Sequence, residues 1–118
     1  MKYLLKTNNA SQLVGIVLKC LNAKEPKDPK GNKIETWSVK KNDKGEYLLV
    51  HMPDQWIDKG CLSLTPNKNN NEVEITFYYW SSFPQKEKSA MDEPFMLGRF
   101  TELMLVHFTS LFAEISIK

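Results

Sequence analysis

The 118-residue chain is poor in the residue types that hold metals and carry protons, with two cysteines and two histidines. Cys20 and Cys61 lie far apart, with no C-x-x-C or C-x-x-H spacing, which excludes a zinc knuckle and a thioredoxin-type redox motif. They read as two free, buried thiols in a reducing compartment. The five glycines are scattered singly, so neither a P-loop nor a Rossmann phosphate turn is supported. No apolar run approaches the roughly 20 residues that a bilayer-crossing helix needs. The stretch Met1–Lys6 has neither the apolar core nor the small-residue cleavage site of a secretory signal. The expectation is a cytoplasmic protein with no membrane contact.

Arginine is also scarce. Arg99 is the sole one among 16 basic residues, so the planar fork used for bidentate phosphate and guanine contacts is almost missing. The net charge of +2 is too small to imply a polyanionic partner. The charge is unevenly spread, however. Residues 19–44 hold eight lysines against four acids, whereas residues 45–118 hold six bases against ten acids. The lysine-rich stretch reads first as a solvated loop.

What is present is an ordinary globular mixture, 42% hydrophobic and 25% charged, which suits a single domain over residues 1–118. Leu13, Ile16, Val17, Cys20 and Leu21 follow helical spacing and predict a helix over 10–22, capped by Asn9 or Ser11. Residues 3–6 fit either a short leading strand or a frayed extension. Pro26, Pro29, Gly31 and Asn32 make residues 23–33 a loop. Four strands follow at 34–41, 46–52, 61–65 and 72–80, the last with the cleanest period-2 alternation. Turn residues at 42–45 and 66–71 favour antiparallel neighbours. From Phe95 to about Ile117, Leu97, Phe100, Met104, Phe108, Leu111 and Ile115 share one helical face. The fold class expected is therefore α+β: a four-stranded antiparallel β-meander with an N-terminal helix and a long C-terminal helix packed on one face.

No G-x-S-x-G or H-E-x-x-H motif occurs. His51 with Asp54 or Asp58 is the only pairing that acid–base or metal chemistry could use, and it has no recognised ligand spacing. No catalytic residue, metal or cofactor is expected. Candidate ligand- or partner-binding residues are aromatic. Trp56 stands in the polar loop 53–60, where a tryptophan can anchor a partner. Within Phe77–Trp80 the side chains alternate, so Tyr78 and Trp80 face away from a core filled by Phe77 and Tyr79. Tyr47, Leu49 and His51 are expected to join that open face. The connection Ser81–Glu93 either folds over it or leaves it bare. The function these features suggest is a small non-catalytic binding or protein-interaction module, acting as a homodimer. The alternative is a nucleic-acid-binding domain, with the lysines of residues 24–44 on phosphates and Trp37, Tyr78 or Trp80 stacked on bases.

Overall fold

Glu72–Tyr79, where apolar and polar residues alternate most cleanly, is the longest strand of a six-stranded antiparallel sheet in the computed structural model, which describes residues 2–118. The strands are β1 (Tyr3–Lys6), β2 (Trp37–Lys41), β3 (Tyr47–His51), β4 (Gly60–Pro66), β5 (Glu72–Tyr79) and β6 (Glu114–Ile117). The helices are α1 (Ala10–Leu21), the single turn α2 (Asp54–Ile57) and α3 (Asp92–His107). In space the strands run β2-β3-β4-β5-β1-β6. The α+β class and the β2-to-β5 meander match the sequence reading. The count of four strands does not, because both chain ends add a strand to the edge beside β5.

Residues 3–6 are a strand because Tyr3 and Leu5 are fully buried against Ile75 and Val73 of β5. That pairing leaves the far edge of β1 with unpaired backbone groups, which a sheet must cover or pair. The last segment supplies the partner. The expected helix to Ile117 ends at His107, where the next residue, Phe108, leaves helical geometry at φ −133°. The Thr7 hydroxyl donates to the Leu111 carbonyl (2.6 Å), and the Lys6 carbonyl accepts from the Ala113 amide (2.7 Å). Ile115 and Ile117 then pair with Leu5 and Tyr3. These isoleucines fit period 2 as well as the helical stripe, and the open edge of β1 decides between the two.

The register sorts every strand side chain to a face. Trp37 and Val39, Leu49 and His51, Leu62 and Leu64, Val73 to Tyr79 at alternate positions, and Tyr3 and Leu5 all point the same way. That side is covered by α1, through Ala10, Leu13, Val17 and Leu21, and by α3, through Met96, Leu97, Phe100, Leu103 and Met104. Tyr47 and His51 therefore lie on the helix side, not on the open side with Tyr78. The polar connection 81–93 also stays on the helix side. Phe83 stacks on Tyr79, and buried Asp92 accepts from the Tyr79 hydroxyl (2.6 Å), Lys59 (3.0 Å) and the Ser89 amide (2.9 Å). Burial alone would raise the Asp92 pKa, but these donors outweigh it and hold the carboxyl below its ordinary value. The other sheet face keeps Tyr78 at 53% exposure.

The Asn-rich turn after β4 does more than reverse the chain. Asn70, in the left-handed region at φ 58°, accepts the Ser11 amide on its side chain and the Ala10 amide on its carbonyl. Asn9 accepts the Gln12 amide. The first three amides of α1 are thus satisfied, two of them from the β4–β5 turn. Among the described residues, no helix is long and apolar enough to cross a membrane.

Two glycines should respond oppositely to the same substitution. A Cβ on Gly60 would meet the Tyr78 carbonyl oxygen and the Phe77 ring (2.9 Å), so Gly60→Ala is expected to destabilise by about 1–3 kcal/mol. Gly98 sits inside α3 with nothing within 4 Å of such a Cβ, so Gly98→Ala should stabilise by up to about 1 kcal/mol. Urea unfolding of both variants checks the pair.

Candidate functional site

A cleft opens where α3 passes the ends of β2 and β3. Trp37 and His51 are register partners across these strands, with ring centroids 4.5 Å apart. After His51 the chain turns at Pro53, whose carbonyl accepts from the Trp56 and Ile57 amides and so winds α2. This turn swings Trp56 inward, leaving it 7% exposed. The indole stacks on Phe95 of α3 (5.0 Å), and the Lys59 ammonium sits 4.5 Å from its ring centre. Arg99 lies over the Phe95 ring (5.3 Å) and pairs with Glu102 (3.0 Å). The open cleft, about 370 Å³, is lined by Trp37, His51, Trp56, Arg99, Glu102 and His107 among others. Small-molecule pockets have volumes from about 300 Å³ upward.

Both histidines line this cavity, and each is oriented through Nδ1. His51 Nδ1–H donates to the Thr36 carbonyl (3.0 Å), so the neutral ring carries its lone pair on Nε2. Burial lowers the His51 pKa below 6.5. The Arg99 charge adds to this, while the Thr36 carbonyl and Glu102 oppose it, and the ring is mostly neutral at pH 7. His107 Nδ1–H donates to Asp28 Oδ2 (2.8 Å). Asp28 also accepts the Lys30 and Asn32 amides (2.9 Å each), with Gly31 at φ +89° closing the turn. The His107 contact, reinforced by these amides, holds the Asp28 carboxyl down at about 2. The lysines of residues 23–33 are exposed as expected, but buried Asp28 ties their loop to the end of α3.

One buried polar atom of Trp56 has no partner. Trp56 Nε1 is buried and, among the described residues, is the one buried side-chain nitrogen or oxygen without a hydrogen bond. Leaving such a donor unsatisfied costs about 1–3 kcal/mol.

Of the five aromatic residues singled out in the sequence, the fold brings Trp37 and Trp56 together here. Tyr47 lies apart at the rim of the sheet, beneath the Lys41 ammonium. Tyr78 and Trp80 border a separate hollow of about 470 Å³ on the bare face. Trp80 is fixed there by its indole bond to the Ile57 carbonyl (3.1 Å) and by Lys40 over its ring. The pairing of His51 with Asp54 or Asp58 does not form, because Thr36 takes Nδ1 and both aspartates are exposed. Sequence reasoning missed His107 and Arg99, which nothing local connects to His51. Of the two thiols, Cys61 is buried and pushed up to about 11 by that burial, whereas Cys20 is half-buried. Among the described residues, no group of three or more His, Cys, Asp or Glu side chains could hold a metal ion. No protein-family model, curated protein or solved structure matches the chain.

The Asp28 contact predicts an acid-side stability loss. Its folded-state pKa of about 2 lies below the ordinary 3.8, so its contribution is complete above about pH 4 and disappears as pH falls toward 2. Asp28→Asn should flatten that part of the stability–pH curve. It should also speed hydrogen exchange at the Lys30 and Asn32 amides, which the carboxylate now holds.

Proposed function

We propose that this chain is a small binding module and that its recognition site is the cleft between α3 and the β2–β3 ends. The observation that carries the reading is a cleft of about 370 Å³ walled by Trp37 and Trp56 and bordered by both histidines and Arg99. Aromatic walls with a few placed polar groups are the usual make-up of ligand sites. The two imidazoles serve here as oriented hydrogen-bonding groups. The Nδ1 contacts orient each ring as they would a general base, but among the described residues no Ser, Thr or Cys side chain is hydrogen-bonded to either imidazole. The test is a small-fragment screen followed by the indole N–H resonances in nitrogen-15 NMR. Fragments are expected to move the Trp56 signal and to lose affinity in Trp56→Phe. Fragments that move Trp80 while leaving Trp56 in place would reject the cleft as the site.

The bare sheet face supports a second reading, in which single-stranded nucleic acid stacks on exposed Tyr78 and on Trp80 beside Lys40 and Lys44. In that case a labelled oligonucleotide should bind at low salt, weaken steeply as salt rises, and lose affinity in Tyr78→Ala. Absence of binding at low salt would discard this reading.

A further inference from the structure

The sheet ends on two edges of different character. Among the described residues, no strand lies beyond β2 on one side or β6 on the other. Such an edge presents unpaired backbone groups, and lysines are a common means of keeping it from pairing with another chain. β2 carries Lys40 and Lys41, whereas β6, Glu-Ile-Ser-Ile, holds neither lysine nor proline. The hydrogen-bonding direction of β6 is set by β1. Lys2 and Lys118 exchange both backbone hydrogen bonds (2.8 Å each). Such pairs alternate along an antiparallel ladder, so Ser116 also turns its amide and carbonyl to β1, while Ile115 and Ile117 turn theirs to the open side. The Ile117 side chain is 59% exposed. Leu105, 53% exposed, lies one turn along α3 from Thr101, whose hydroxyl meets that of Tyr3, so it flanks the same edge. The charges along the edge are unbalanced. Glu114 stands opposite Lys6 across the β1–β6 ladder, 3.9 Å away. At the other end Lys118 stands opposite Lys2, a like-charge pairing that destabilises a ladder, and among the described residues neither lysine has an ion-pair partner.

We propose that the free edge of β6 pairs with β6 of a second copy of this chain, antiparallel about a twofold axis through Ser116. The backbone selects the register. Opposing Ile115 to the partner's Ile117, and the reverse, puts both outward-facing residues of each copy into hydrogen-bonded pairs. A shift of two residues in either direction keeps one such pair within the strand. The same register sets Glu114 opposite the partner's Lys118 in a non-hydrogen-bonded pair, the type in which Cα atoms lie about 4.5 Å apart and side chains come closest. Each Glu114 then lies between Lys6 of its own chain and the partner's Lys118, so the base left without a counter-charge in one copy meets the acid of the other. On the helix side, the isoleucines of one copy stand beside those of its partner. This is an isologous contact, which closes at two copies. An edge of four residues buries far less than the roughly 1,600 Å² of a standard interface, so the dimer is weak and reversible. The inference is independent of the cleft reading. The cleft borders β2 and β3, at the opposite end of the strand order, so the pairing leaves both clefts open.

The experiment is sedimentation equilibrium of the full chain from low micromolar concentration to about 1 mM. A reversible monomer–dimer equilibrium is expected. Ile117→Pro removes an outward amide and no bond to β1, so it should abolish the dimer and keep the fold. Glu114→Lys and Lys118→Glu, both exposed changes, are each expected to weaken the dimer by roughly tenfold. Combining them should restore it, because the pair re-forms with its signs exchanged. The axis also brings the two Ser116 Cα atoms to about 4.5 Å, within disulfide reach. In a Cys20→Ser background, Ser116→Cys should therefore cross-link two copies on mild oxidation, and Ser38→Cys on β2 should not. A chain that stays monomeric over the whole range overturns the proposal. So does a dimer that survives both single charge changes, or one that the double change fails to restore, since the contact then lies elsewhere, such as the bare face around Tyr78. The charge variants decide the matter even if Ile117→Pro does not fold.

Discussion

The Phe100 ring is fully buried in α3 and meets the edges of two rings from distant strands, Tyr3 of β1 at 5.8 Å and Trp37 of β2 at 6.2 Å. In sheet order these strands are four positions apart. In a flat sheet they would be separated by about 19 Å. One aromatic ring can reach both only because the sheet curls around the helix, as twisted antiparallel sheets do. The Tyr3 hydroxyl reinforces this anchor by donating to Thr101 Oγ1 (2.7 Å), which itself donates to the Leu97 carbonyl. Curling of the sheet, placement of α3 and the position of Trp37 are thus one packing solution.

The cleft follows from that solution. Once Phe100 fixes the axial position of α3, Phe95 and Arg99 fall one turn before it and beside it, and Glu102 and His107 follow toward the C-terminal end. Trp37 brings its register partner His51 with it. Trp56 arrives from the other direction, carried by the single turn after Pro53 and stopped by the Phe95 ring. Asp28 fixes His107 from outside the cavity by tying it to the lysine-rich loop. A site assembled this way joins residues from positions 34 to 107, with Trp37, Trp56 and His107 held by Phe100, Phe95 and Asp28, which lie outside the cavity lining. Pre-arranged side chains in general lower the ordering cost of binding.

Much of the fold was readable because local patterns are strong where one face is buried. The period-2 alternation of Val73, Ile75, Phe77 and Tyr79 and the helical spacing of Leu13, Val17 and Leu21 both mark the core side correctly. Patterns fail where two periods coincide. Ile115 fits a helical stripe with Leu111 and also alternates with Ser116, and the deciding factor was the unpaired edge of β1, more than one hundred residues away. The four-residue strand Tyr3–Lys6 is too short to announce itself without its neighbours.

The sequence by itself determined the class of fold, the alternation along each long strand and the absence of known catalytic spacings, because these depend on residues near one another in the chain; which side of β3 meets the core was left to the register. It also marked Trp37 and Trp56 as unusual, though for separate reasons. Only the tertiary structure decided that these two rings share a wall with His51, Arg99 and His107, while Tyr47, Tyr78 and Trp80 stand elsewhere. Side-chain convergence across 70 or so positions depends on sheet order, curl and helix placement. Those are global consequences of burying one continuous core, and no local period encodes them.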